Sequence, residues 1–155
     1  MEAREGVGNS AMKTKEFLNQ LQHDEIVDAI RKVEKTTSGE IRVFISRHEP
    51  EDPVKAAQAE FARLKMDKTP EKNGVLIYVA PRAHKFAVIG DTGVHQRCGD
   101  EFWTRVAAEM TGHFKRGEFT EGILHGTRKA GELLAEHFPR KAGDRNRLPD
   151  DIAGD

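Results

Sequence analysis

Asn73-Gly74-Val75-Leu76-Ile77-Tyr78-Val79-Ala80, a Pro81-Arg82-Ala83-His84 turn, then Lys85-Phe86-Ala87-Val88-Ile89-Gly90 and Asp91-Thr92-Gly93 make the densest β-type apolar stretch of the chain. Residues 75–80 are apolar at every position, the pattern of a strand buried on both faces, so this strand belongs at the centre of a sheet. Residues 85–89 are mostly apolar and pair with it across the short turn. Where the second strand ends, Asp91 stands between glycines. Open α/β sheets hold their chemistry at strand ends of this kind, which makes Asp91 the first candidate for a site.

Upstream, Glu40-Ile41-Arg42-Val43-Phe44-Ile45-Ser46 alternates polar and apolar, the pattern of a strand with one buried face. Between these strands, Pro53 follows Asp52 as a first-turn proline follows an N-cap, and Val54, Ala57, Phe61 and Leu64 recur at helical spacing. Strand, helix and strand predict a parallel crossover. Further back, Phe17, Leu18, Leu21, Ile26, Val27, Ile30 and Val33 predict one long or broken amphipathic helix, with Asp24 capping a new turn. Downstream, residues 94–99 read as a connection to Asp100, the N-cap of a helix carrying Phe102, Trp103, Val106, Met110 and Phe114 on one side. A last helix spans about 120–137 and stops at Pro139. The pattern predicts an α/β sandwich, a small mixed sheet with helices on both faces, as a single domain over 13–139. Residues 1–12 are expected to be a flexible arm and 140–155 a flexible charged tail.

A chain of 155 residues at net charge -1, with 33% charged residues, has no basic field for nucleic acid. One cysteine, Cys98, excludes an intramolecular disulfide and fits a reducing compartment, so the expected location is the cytoplasm. The first twelve residues lack the apolar core of an export signal, and no later run has the length of a membrane span.

Taken together, Ser38-Gly39-Glu40-Ile41, Asn73-Gly74-Val75-Leu76, Gly90-Asp91-Thr92-Gly93 and Phe114-Lys115-Arg116-Gly117-Glu118-Phe119, with Gly122-Ile123 and Gly126, resemble the TPM domain family over about residues 38–138. The resemblance implies a Rossmann-like α/β sandwich. It also implies acidic loop residues at one end of the sheet that bind divalent cations such as calcium in some members, and a phosphatase activity ascribed to the family. Two positions depart from the family pattern: Lys72 and His95 stand where relatives commonly carry acids. Many relatives also have an export signal and a C-terminal membrane helix, so this chain resembles a stand-alone cytoplasmic branch.

Asp91, Asp100 and Glu40 are the acids expected to converge, and calcium or magnesium is the cation such oxygen ligands would hold. The simpler alternative makes Asp91 a turn residue, Asp100 a helix cap and Glu40 a surface residue at a strand edge. No catalytic residue is assigned. The expected role is non-catalytic, binding a divalent cation or a protein partner at the loop end of the sheet. A metal-assisted phosphomonoesterase at the same place is the alternative, with backbone N–H groups of residues 90–93 and Arg97 or His95 nearby. The Asp91-Thr92-Gly93 triplet also matches the aspartic protease motif, but that chemistry belongs to an all-β fold. His95 and Cys98 make half a zinc site without a second pair, and His113 and His125 lie on neighbouring helices. Cys98, beside a helix start, has the position of a thiol of lowered pKa, against the alternative of a plain half-buried one.

Overall fold

The computed structural model describes residues 2–5, 14–141 and 152–155. Strand alternation divides the interior into two cores. On β2 (Glu40–Ile45), β3 (Gly74–Ala80) and β4 (Lys85–Gly90), the residues Ile41, Val43, Ile45, Val75, Ile77, Val79, Phe86 and Val88 face one side. Their neighbours Phe44, Leu76, Tyr78, Ala80, Ala87 and Ile89 face the other. This is the two-residue period of a pleated strand sorting side chains to opposite faces.

The first core is closed by α1 (Thr14–Gln20), α2 (His23–Glu34), α4 (Thr92–Lys115) and α5 (Phe119–His137) through Phe17, Ile26, Ile30, Trp103, Met110, Phe114, Ile123 and Leu134. The second is closed by α3 (Pro53–Arg63) and the following turn, through Ala57, Phe61 and Met66. Helices therefore cover both faces, as expected. Helix α5 lies tight on α4 because Gly122 and Gly126 carry no side chain where Phe114 and Met110 sit: a Cβ would come within 2.6 Å of the Phe114 ring and 2.7 Å of Met110 Sδ.

Among the described residues five strands form one sheet in the order β1-β4-β3-β2-β5, with β1 at Glu2–Glu5 and β5 at Ala153–Gly154. β2 and β3 are parallel, as the crossover predicts, and β3 and β4 are antiparallel. The Asp52 side chain caps α3, accepting from the Val54 and Lys55 amides at 3.0 and 3.2 Å, with Pro53 behind it.

Several expectations are corrected. Of the stretch expected to be a loose arm, residues 2–5 pair antiparallel with β4, and residues 1 and 6–13 lie outside the described residues. Of the expected tail, residues 152–155 return to the sheet edge beside Phe44 and Ile45, and 142–151 lie outside the described residues. The first amphipathic stretch is two helices, and the second begins at His23, so Asp24 sits in its first turn rather than capping it. Strand β2 is buried on both faces, with Arg42 half-buried and the Arg63 guanidinium 5.6 Å from the Phe44 ring centroid.

The largest correction concerns α4. Its first segment begins at Thr92, capped by Asp91, and residues 94–98, expected to be a connection, are helical. Gly99, with φ of 72° and ψ of -178°, a conformation open to glycine, is not helical, so α4 is two helical segments joined at a kink, and the second begins next to Asp100, close to where the sequence places a helix start. Asp100 therefore follows an internal kink and does not cap a free helix start.

Candidate functional site

Glu40 pairs with Gly74, and Val75 with Gly90, so the starts of β2 and β3 and the end of β4 lie at one end of the sheet. Because β4 runs antiparallel, Asp91 stands at the amino ends of the two parallel strands. The carboxyl ends, where α/β sheets usually place ligands, are at the opposite pole near Ser46 and Pro81.

At the first pole the Asp91 amide donates to the Gly74 carbonyl at 2.9 Å. Its Oδ1 accepts from the Thr92 amide at 2.7 Å, while Oδ2 is buried and has no hydrogen-bond partner among the described residues. An orphaned carboxylate oxygen is costly, and it calls for a donor. Gly93 is what brings the helix start so close to the preceding loop: a Cβ there would lie 2.4 Å from the Glu71 carbonyl oxygen and 2.6 Å from that of Lys72. Glu71 in turn accepts from the Ser38 hydroxyl at 2.7 Å and the Asn73 side-chain amide at 3.2 Å. Beside Asp91 opens a pocket of about 180 Å³ lined by Gln58, Phe61, Ile89, Gly90 and Thr92. Its walls are largely apolar.

The three sequence-predicted ligands have different fates. Asp91 lines the pocket. Asp100 is exposed and lies 3.4 Å from His95 Nε2. Glu40 is 1% exposed, so it is no surface strand-edge residue. Among the described residues no three His, Cys, Asp or Glu side chains form a group that could hold a metal ion. Calcium or magnesium takes about six or more oxygen ligands, and of the three acids only Asp91 lines the pocket. The groups expected beside Asp91 for phosphate chemistry have other neighbours: the Arg97 guanidinium is 5.4 Å from the Phe138 ring centroid, and His95 Nε2 is the atom that lies beside Asp100. Burial pushes the Cys98 thiol up, which makes it a plain half-buried thiol with little thiolate at neutral pH. His113 and His125 do meet, with ring centroids 5.7 Å apart. Each faces a carboxylate, Glu118 at 2.8 Å and Glu109 at 3.0 Å.

Phe61 and Gln58 were not singled out as site residues, although their three-residue spacing on α3 places both on one helix face. Nor was the cluster at the opposite pole. There Ser46, fully buried, donates from Oγ to Asp155 Oδ2 at 2.6 Å, and the Arg47 amide donates to Asp155 Oδ1 at 2.7 Å. Burial alone would raise the Asp155 pKa, but the bonds from Ser46 and Arg47, together with nearby His48, hold it below the usual carboxylate value. A depressed carboxylate contributes stability that is present above its unfolded pKa and lost as pH falls through the folded one. Docking of Asp155 is therefore expected to persist from neutral pH down to about pH 4 and to fail only below that. The Arg47 amide resonance, followed by NMR through an acid titration, checks this; release already near pH 6 would contradict it.

A family model described as the TPM domain matches residues 12–133. Among solved structures, the chain is similar to the BA42 protein of the psychrophilic bacterium Bizionia argentinensis, determined by NMR. The two are 42% identical over 86% of this chain and 92% of that one, with a TM-score of 0.78. The N-terminal domain of a P. gingivalis protein is similar in fold alone, at 16% identity and a TM-score of 0.59 over 86% of this chain and 99% of that domain. No curated protein matches the chain. Among the described residues no helix is long and apolar enough to cross a membrane.

Proposed function

Since the chain belongs to the TPM domain family, we propose that it acts as a non-catalytic binding module whose ligand is a protein partner, anchored by a basic side chain beside Asp91. One observation carries this reading. Asp91, whose Oδ2 is buried and has no hydrogen-bond partner among the described residues, lines a small, mostly apolar pocket. A single carboxylate next to apolar walls matches the arginine or lysine side chain, whose apolar stem ends in several N–H donors. A divalent cation needs more oxygen ligands than Asp91 supplies, with Asp100 exposed and turned to His95. The single cysteine supports a cytoplasmic setting for such a partner.

Butylguanidinium, an arginine side chain without its backbone, is the probe. Titrated into the protein under NMR observation, it is expected to shift the amides of Gly90, Asp91 and Thr92 saturably. The shifts should vanish in Asp91→Asn. Saturable shifts of the same amides with calcium instead would replace the partner by a divalent cation. Hydrolysis of a phosphomonoester with calcium, magnesium or manganese, lost in Asp91→Asn, would overturn the non-catalytic assignment.

A further inference from the structure

At the pole opposite Asp91 the chain holds one of its own segments in the manner of a bound peptide. Residues 152–155 lie along the outer edge of β2, with Ala153 paired to Phe44 and Gly154 to Ile45 in parallel register. Asp155 then turns inward, and both of its carboxylate oxygens are bound: Oδ1 by the Arg47 amide at 2.7 Å, and Oδ2 by the Ser46 hydroxyl at 2.6 Å with His48 Nε2 at 3.3 Å. The receptor side is built for an anion. Ser46 is fully buried, and its Oγ accepts from the His48 amide at 3.0 Å, which leaves the hydroxyl proton for the carboxylate. Arg47 and His23 line the adjoining space of about 420 Å³, together with Leu18, the one large hydrophobic that is exposed among the described residues. The occupant is small where the edge is tight: a Cβ on Gly154 would lie 3.1 Å from the Ile45 carbonyl oxygen.

We propose that this crevice is a peptide site, which accepts an extended acidic segment as a strand added parallel to β2 and binds its aspartate through Ser46, Arg47 and His48. Main-chain pairing supplies affinity at such an edge, and the side-chain pockets supply specificity. The segment 152–155 fills the site in cis. The site is independent of the Asp91 pocket, since the two lie at opposite ends of the strands.

The test uses the chain carrying Gly154→Val and Asp155→Ala, which loosens the cis segment and leaves the receptor groups intact. The peptide Asp-Ile-Ala-Gly-Asp, the sequence of residues 151–155, is expected to shift the amides of Ser46, Arg47 and His48 saturably. Replacing its final aspartate by asparagine should weaken binding about tenfold or more, because charge-assisted hydrogen bonds are lost. The unaltered chain should bind the peptide far more weakly, because a tethered segment competes at roughly millimolar effective concentration. Equal binding of the two peptides, or no saturation in a variant whose spectrum shows the native fold, would overturn the proposal. If the variant does not fold, hydrogen exchange answers the same question: the Arg47 amide should exchange about tenfold faster or more in Ser46→Ala than in the unaltered chain. Equal rates would contradict the site.

Discussion

Replacing Gly93 by alanine is expected to destabilise the protein by about 1–3 kcal/mol or more, the usual cost of forcing extra atoms into a filled space. The new Cβ would stand 2.4 Å from the Glu71 carbonyl oxygen and 2.6 Å from that of Lys72. Both obstacles are backbone, so no side chain can swing aside. Either the start of α4 moves away from the 71–73 loop or the loop moves from the strands, and in both cases the Asp91 pocket changes shape. Gly112, in the same helix, is the control. A Cβ there meets only the Arg116 Nη1, at 3.5 Å, so Gly112→Ala should be neutral or stabilise by up to about 1 kcal/mol through helix propensity. Urea unfolding of the two variants side by side makes the comparison. Equal midpoints would mean that the close approach at Gly93 does not exist in solution.

Trp103→Ala is expected to cost more, about 3–5 kcal/mol, as truncations of large buried aromatics do. Trp103 is fully buried, and its ring packs edge-on to Phe102 with centroids 5.0 Å apart. It also fastens the site. Gly90 lies so close that a Cβ would be 2.8 Å from Trp103 Cζ2, so the indole presses on the last residue of β4, one step before Asp91. Trp103→Phe should leave a smaller void, cost less, and still disturb the Gly90 and Asp91 amides. A urea midpoint unchanged in Trp103→Ala would refute this packing.

The hairpin, the crossover and the faces of the helices were legible because they follow local periods that apolar residues display directly. The Asp52-Pro53 start of α3 was legible for the same reason, since cap and first turn are neighbours in sequence. The start of α4 was not. Asp100 followed by an apolar stripe carries the usual mark of a helix start, and Gly93 and Gly99 disguise the eight residues before it. What decides the matter is tertiary: Val94 is buried beside Gly90, and Gly93 fits against the 71–72 backbone. The pole on which Asp91 sits could have been read from the hairpin, since an antiparallel second strand ends where the first begins. The different surroundings of the other two acids could not. Glu40 is drawn into the interior and Asp100 is carried to the exposed side of a kinked helix. The Ser46 and Asp155 pair, 109 residues apart, leaves no local trace in the sequence. Gly122 and Gly126, by contrast, have a plain physical meaning, as places where α5 has room for Phe114 and Met110.

Whether the pocket beside Asp91 receives a basic side chain is decided by intermolecular NOEs between bound butylguanidinium and the protein. Contacts are expected from the butyl protons to the Phe61 ring and the Ile89 methyls, with none in Asp91→Asn. Contacts only at other surfaces, or a saturated complex without contacts to Phe61 and Ile89, would contradict it.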